Sequence, residues 1–329
     1  MKRLESLQSL RLFAAIGVIQ YHIWRNYMGI AIGHPGTDFF LVLVGVVAAF
    51  SQTRHIAQGR WKQYLVSRAA RLYVSFIPLF LATLIIKHDE VTFDWVWRSF
   101  FFFPQLEREP VIASTWMLSY FVLFYLIFAA SVFFRSERVL WGILLVWAIG
   151  IIGYVWFDWS PGLSSEWTTV LFEERNLDFI CGFVVGVILR AGFVRIHLAR
   201  VLTWIGLFGI LGGTFVLNFG NTMQGRSLWL GLPVSLFILG VSALEQNMDS
   251  GFLITCLKRP RIVFLGTASY VIFLSHSAFI RIWSLFLPVT PIWAPFITVG
   301  AVMFGAIGYW LWEAPILAYM KEHFLFMHY

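Results

Sequence analysis

Apolar runs of membrane-spanning length recur through the whole chain, and they constrain its fold more than any other feature. An α-helix rises about 1.5 Å per residue, so about 20 apolar residues cross the hydrocarbon core of a bilayer. The stretch VLWGILLVWAIGIIGYVWF at 139–157 is one such run and carries no charged residue. We predict ten spans, at 8–28, 36–53, 72–87, 115–134, 139–157, 177–190, 201–218, 227–245, 262–284 and 292–317.

The composition argues against a water-soluble globular domain. Of 329 residues, 59% are hydrophobic and 12% are charged, and the mean hydropathy is +0.77. The strands of an outer-membrane barrel would alternate apolar and polar residues, which these runs do not. We therefore predict an all-α polytopic helix bundle, a single integral-membrane domain over 1–329 with no separate soluble domain. The first run lacks a small-residue cleavage site, so no cleavable signal peptide is expected.

The distribution of basic residues predicts the orientation of the bundle. If the N-terminus lies in the cytosol, 17 of the 24 Lys and Arg residues fall on the cytosolic side and seven fall outside. This bias favours both termini in the cytoplasm. The net charge of +7 is then explained by topology, and no nucleic-acid partner is expected.

Cysteine usage and loop composition add little chemistry of their own. Cys181 and Cys256 lie in or near predicted spans, so neither a disulfide framework nor a metal site is expected. The longest outer connections, 88–114 and 158–176, are rich in aromatic and turn residues. We expect them to be interfacial or re-entrant segments that roof a cavity.

Ionisable residues inside the predicted spans are the strongest indication of function. Each costs a few kcal/mol in a bilayer unless it faces a cavity or a partner. Taken singly, each is as compatible with structural pairing as with function, but together they predict a polar chamber. They are Arg11, His22, Asp38, Asp178, His276 and Glu313, with Arg68 and Arg71 at the inner edge of the third span.

Arg11 and His22 share one face of the first predicted helix. Eleven residues at 100° per residue make about three turns and a rise of about 16 Å, roughly half of a hydrocarbon core. Their side chains can therefore act on two ends of one extended substrate.

Seven segments along the chain carry a recognisable pattern. They are LESLQSLRLFAAIGVIQYH (4–22), GTDFFLVLVG (36–45), SRAARLYVSFIPLF (67–80), TWMLSYFVLFYLIF (115–128), RNLDFICGFVVG (175–186), LGTASYVIFLSH (265–276) and WEAPI (312–316). In this order, and along nearly the whole chain, they resemble the membrane acyltransferase-3 family. The first helix of that family carries an Arg, ten residues and then a His, which Arg11 and His22 match.

The resemblance implies a bundle of about ten helices in a bacterial inner membrane. It implies transfer of an acyl group, usually acetyl from acetyl-CoA, to a hydroxyl of a lipid-linked or exported glycan. Membrane lipid and polysaccharide synthesis or export machinery are the other expected partners. Three positions depart from the family pattern: Phe121 replaces a Glu, Thr267 an Asp and Val44 a Ser. If that Glu is essential, another acid must replace it, and Glu173 or Glu174 is the candidate.

The resemblance and the chemistry together assign roles to the intramembrane residues. His22 is the expected general base, because imidazole accepts a proton near neutral pH. Asp38 either orients His22 or caps the second helix. Arg11, Arg68 and Arg71 are expected to hold the CoA donor by charge-assisted hydrogen bonds. The expected acceptor-binding residues are His276, Trp116, Ser119, Tyr120 and Asp178, although Asp178 and Glu313 also suit structural pairing with buried arginines.

Two other hypotheses use the same residues. A transporter or flippase for a polar or glycan-lipid substrate also needs a charged chamber. A non-catalytic homologue that binds a polysaccharide synthase is compatible with Phe121 in place of the Glu.

Overall fold

The structure, a computed structural model, is helical wherever it forms regular secondary structure. It describes residues 4–29, 35–157, 165–219, 225–249 and 251–323, and no β-strand occurs within these ranges. The prediction of an all-α chain is therefore confirmed for the described residues.

Fifteen α-helices and four short helical segments make up the described chain. The α-helices are α1 (Glu5–Met28), α2 (Gly36–Gln58), α3 (Trp61–Ile86), α4 (Phe93–Phe100), α5 (Trp116–Phe133), α6 (Glu137–Trp156), α7 (Glu166–Phe172), α8 (Arg175–Ala191), α9 (Ile196–Phe219), α10 (Leu232–Gln246), α11 (Phe252–Leu257), α12 (Pro260–Thr267), α13 (Ser269–Ser284), α14 (Ala294–Gly308) and α15 (Ala314–His323). Turns of 3₁₀-helix lie at His88–Glu90 and Ala113–Thr115, and π-helical turns lie at Ser227–Gly231 and Tyr309–Glu313.

Every predicted span coincides with a helix or with two consecutive helices, but not every one is long and apolar enough to cross a membrane alone. Six described helical stretches meet that condition, and a seventh does if α12 and α13, which are bent by 68°, form one span. The chain is therefore an integral membrane protein with several apolar helices. Ten crossings and the cytosolic placement of both termini stay predictions.

The chain divides into two compact units. The first unit comprises Met1–Ser51, Glu174–Ser269 and Trp283–Val302, and the second comprises Gln52–Glu173, Tyr270–Ile282 and Met303–Tyr329. The expectation of one functional domain over 1–329 stays a prediction.

Glycines let the helices of the first unit approach closely. Gly45 of α2 and Gly182 of α8 face each other's helices so tightly that a Cβ on either would overlap backbone atoms of the other helix. Small residues at such crossings are typical of membrane helices, because packing there depends on van der Waals contact. Around this crossing lies a buried core that includes Leu7, Val42 and Val185.

The second unit contains two short helices, α4 and α7, which lie in the connections 88–114 and 158–176. Arg98 of α4 forms a 2.7 Å ion pair with Glu166 of α7, so the two connections are tied together. Beneath α4, the rings of Tyr73, Phe76 and Phe102 pack against one another. Each connection therefore contains a short helix, and its interfacial or re-entrant placement stays a prediction.

Candidate functional site

Helix α1 carries Arg11 and His22 on one unbroken segment. The helix ends at Gly29, whose φ of 69° is in the left-handed region that favours glycine. Both side chains are partly buried. Arg11 donates a 3.3 Å hydrogen bond to Gln8, and the His22 ring meets the Tyr21 ring edge-on at 5.5 Å between centroids. Arg11 and His22 therefore lie on one continuous helix, as the sequence predicted.

The N-terminus of α1 is capped by a residue distant in sequence. The N-cap residue, Leu4, makes no side-chain cap. Instead, the Glu245 carboxylate at the end of α10 accepts hydrogen bonds of 2.9 Å from the backbone N–H groups of Glu5 and Ser6. A carboxylate is favoured there by the free amides and by the helix dipole.

A buried ion cluster, formed by Asp38, Asp178 and Arg226, lies where three helical segments of the first unit begin. Asp38 is in the first turn of α2, and Arg226 immediately precedes the π-helical turn Ser227–Gly231. The guanidinium donates to both carboxylate oxygens of Asp38, with Nε–Oδ1 at 3.1 Å and Nη2–Oδ2 at 2.6 Å. Asp38 is fully buried and Arg226 is 3% exposed. The Asp38 carboxylate is therefore neutralised by a fork of two charge-assisted bonds.

Asp178, in the first turn of α8, completes this cluster. Its side chain is fully buried and interacts with Asp38, Arg226 and Ser227. Gly231 makes room for it, because a Cβ at position 231 would overlap the Asp178 carboxylate. Asp178 thus lies beside an arginine, as expected of a structural partner. Its assignment to acceptor binding stays a prediction.

Glu174, which immediately precedes α8, hydrogen-bonds to the start of the π-helical turn Ser227–Gly231. Its carboxylate accepts hydrogen bonds from the backbone N–H groups of Gly225 (3.0 Å) and Arg226 (2.8 Å). Burial raises the pKa of the Glu174 carboxyl, and these two donors oppose that shift. The Ser227 hydroxyl donates to the Glu174 carbonyl oxygen at 2.7 Å. Glu174 is therefore engaged in capping, which makes it a poor substitute for the Glu that Phe121 replaces.

In the second unit, α3 presents the predicted donor-binding arginines. The Arg68 guanidinium lies over the rings of Tyr64 and Tyr125, at 5.1 and 5.8 Å from their centroids. Arg71, one turn farther along, is exposed. It interacts electrostatically with Glu313, which accepts a hydrogen bond from Ser75. Arg68 is thus positioned by two cation–π contacts, which do not neutralise the positive charge of its guanidinium.

The predicted acceptor-binding residues of the second unit are mostly buried. His276 on α13 is fully buried, and its Nδ1 lies 2.5 Å from the carbonyl oxygen of Phe273. Ser119 donates to the Phe102 carbonyl oxygen at 2.7 Å. Trp116 meets Tyr120 edge-on at 5.8 Å. Ser119 therefore has a structural hydrogen bond, and acceptor binding by these four residues stays a prediction.

Phe121, which replaces the family Glu, is itself packed into the second unit. It is 7% exposed and its ring lies near that of Tyr125. A phenylalanine needs no hydrogen-bond partner at a buried position, so the departure is accommodated without an unpaired charge.

The structure brings Asp38 together with Asp178 and Arg71 together with Glu313, whereas Arg11 and His22 lie about three turns apart on α1. The sequence interpretation missed Arg226, which pairs with Asp38, and Glu245, which caps α1. Both are charged residues at the edge of a predicted span, and that position was the only signal for them. Within the described ranges, no group of three or more His, Cys, Asp or Glu side chains is arranged to hold a metal ion.

Comparison with known proteins gives a family match and two informative relatives. Residues 4–312 match the family model described as an acyltransferase domain. The chain is 28% identical over 309 residues to "Exopolysaccharide production protein ExoZ" of Rhizobium meliloti (strain 1021), covering 87% of this chain and 90% of that protein. It is 22% identical over 352 aligned positions to "Peptidoglycan O-acetyltransferase OatA" of Listeria monocytogenes serovar 1/2a (strain ATCC BAA-679 / EGD-e), covering 96% of this chain but only 56% of that protein. No solved structure matches.

Proposed function

The chain belongs to the acyltransferase-3 family and is an O-acyltransferase, and on that premise we propose that it moves an acetyl group from acetyl-CoA to a glycan hydroxyl. The acceptor is a cell-surface or exported glycan or its lipid-linked precursor. The names of the two relatives, one in exopolysaccharide production and one in peptidoglycan O-acetylation, support this substrate class. We place the protein in a bacterial inner membrane, next to polysaccharide synthesis or export machinery.

The observation that carries this proposal is the continuity of α1 from Arg11 to His22. Two ionisable side chains half a hydrocarbon core apart, on one rigid helix, can hold the two ends of a long donor. Arg11 binds a phosphate or amide of the donor by charge-assisted hydrogen bonds, and His22 meets the thioester.

The chemistry proposed for His22 is general-base catalysis. The acceptor hydroxyl oxygen attacks the thioester carbonyl carbon while the imidazole accepts the hydroxyl proton. The C–S bond then breaks, and the imidazolium returns the proton to the departing thiolate. Products are the acyl ester and CoA, and no further reactant is needed.

The remaining residues have supporting roles in the proposal. Arg68 and Arg71 bind further phosphates of the donor, with the aromatic contacts of Arg68 fixing its guanidinium. Asp38, whose carboxylate Arg226 already engages, serves catalysis by holding the start of α2 in place. Asp178, His276, Trp116, Ser119 and Tyr120 are the proposed acceptor-binding residues.

The test is CoA release and acyl transfer by the purified protein in lipid nanodiscs. With acetyl-CoA and a lipid-linked oligosaccharide, wild type should release free thiol and add an acetyl mass to the glycan. His22→Ala should lower the rate by at least about 100-fold, since general-base catalysis is worth about 10² to 10⁴. The matched control is His197→Ala, at an exposed position on α9. Full activity of His22→Ala would exclude the general-base role, and acceptor movement without CoA release would instead indicate a transporter.

A further inference from the structure

A chain of three hydrogen bonds joins α1 to α14 within the first unit. Trp24 Nε1 donates to Gln20 Oε1 at 2.6 Å, and Gln20 Nε2 donates to Thr298 Oγ1 at 2.6 Å. The Thr298 hydroxyl in turn donates to the Ala294 carbonyl oxygen at 2.8 Å. Both ends of the Gln20 amide are therefore engaged, and its orientation is fixed from two sides.

This hydrogen-bonded chain grips the side of α1 that is opposite Arg11 and His22. At 100° per residue, Trp24 is about 40° from Gln20, whereas His22 is about 160° and Arg11 about 180° from it. The direction in which His22 points is therefore set by the rotation of α1 about its own axis. Gln20 fixes that rotation through its hydrogen bond to Thr298 on the opposite side of the helix.

Small rotations of α1 have large consequences for His22. Helix side chains reach about 5–6 Å from the helix axis, so a rotation of about 10° moves an imidazole by about 1 Å. A displacement of about 1 Å from the productive geometry can cost about 10²-fold in rate.

We propose that Gln20 and Thr298 are positioning residues for acyl transfer, which hold α1 at the rotation that presents His22 to the reacting groups. This inference rests on the proposed function of His22. The two residues touch no reactant in this scheme, and they act only through the orientation of α1.

Thr298→Val tests the proposal, because valine keeps the shape of threonine and removes the hydroxyl. We expect kcat to fall by about 10-fold or more with the KM for acetyl-CoA unchanged, because the end of α1 that carries Arg11 is still held by the Glu245 cap. The matched control is Thr298→Ser, which keeps the hydroxyl and should stay within about 2-fold of wild type. Unchanged kcat in Thr298→Val, or an equal fall in Thr298→Ser, would overturn the proposal.

Two further variants keep the test decisive. Gln20→Met breaks the same chain from α1, so it replaces Thr298→Val if that variant does not fold. The double variant should be no slower than the worse single variant, because both changes remove one interaction. His22→Ala, measured in parallel, separates the two ideas. An active His22→Ala removes the proposed function, whereas an inactive His22→Ala beside a fully active Thr298→Val removes only the positioning role.

Discussion

At the scale of single residues, the stability of the buried ion cluster of Asp38, Asp178 and Arg226 depends on the positive charge of Arg226 compensating the buried acids. Two carboxyl groups face one guanidinium away from water, so loss of the guanidinium leaves buried acids without compensation. We expect Arg226→Gln to lower the free energy of unfolding by about 3–5 kcal/mol, the usual cost of breaking a buried pair from one side. Thermal unfolding in detergent, followed by size-exclusion fluorescence, measures it.

The control for Arg226 is an arginine in an exposed pair. Arg200 lies 3.4 Å from Asp249 and its side chain is 54% exposed, so Arg200→Gln should cost less than about 1 kcal/mol. In the double variant Asp38→Asn with Arg226→Gln, part of the lost stability should return, because one unpaired charge is removed. Equal effects of the two arginine variants would contradict the buried cluster.

Gly231 gives a second prediction at the residue scale. Its φ of −59° suits any residue, so the cost of Gly231→Ala is steric: the new Cβ would displace the Asp178 carboxylate. We expect a loss of about 1–3 kcal/mol, as for overpacking elsewhere. Gly212→Ala on α9 is the matched control, because its Cβ would meet nothing within 4 Å. It should be neutral or slightly stabilising, since alanine is the better helix former. The same melting assay compares the two, and a more stable Gly231→Ala would exclude the clash.

The sequence could predict Arg11 and His22 because their relation is local. A fixed helical repeat places them on one face whatever the rest of the chain does. The partners of Asp38 and of Glu5 lie 188 and 240 positions away, and pairings of that kind depend on which helices pack together. Periodicity within a helix carries no such information, so Arg226 and Glu245 emerged only from the structure.

At the scale of elements, the helix positions were predictable and their irregularities were not. Apolar runs located α5, α6 and α9 within a few residues, because hydrophobic length is what a bilayer selects. The π-helical turns Ser227–Gly231 and Tyr309–Glu313 each fit one extra residue into a turn, which leaves the apolar run unbroken. The bend between α12 and α13 likewise occurs without a proline at the break.

The capping of α1 by Glu245 gives a prediction at the element scale. Glu245→Ala removes both acceptors of the Glu5 and Ser6 amides, so we expect a loss of about 0.5–2 kcal/mol and faster hydrogen exchange in the first turn of α1. Glu245→Gln is the control, because its amide oxygen keeps one acceptor, and its effect should be smaller. Exchange rates that are identical in wild type and Glu245→Ala would show that the cap does not hold this end of the helix.

At the scale of the whole molecule, composition predicts the class of protein, while the number of crossings depends on α1, α2, α8 and the bent pair α12–α13. Six described stretches are apolar and long enough to cross, and the bent pair makes seven. The ten predicted spans add α1, α2 and α8. Two of these carry members of the buried ion cluster and the third carries Arg11 and His22, so the helices that least resemble membrane spans hold four of the eight ionisable residues singled out from the sequence.

Whether the number of membrane crossings is even or odd can be tested by locating the two chain ends. Ten crossings place residues before α1 and after α15 on the same side, whereas seven place them on opposite sides. From the excess of Lys and Arg, we expect both ends in the cytosol. Single-cysteine labels at each end, in a variant lacking Cys181 and Cys256, should resist a membrane-impermeant maleimide in intact spheroplasts and react after lysis. A label introduced at Arg108, between α4 and α5, is the control and should react in intact spheroplasts. Labelling of one chain end but not the other would favour an odd number of crossings, and at least one of α1, α2, α8 and the bent pair α12–α13 could then not span the membrane.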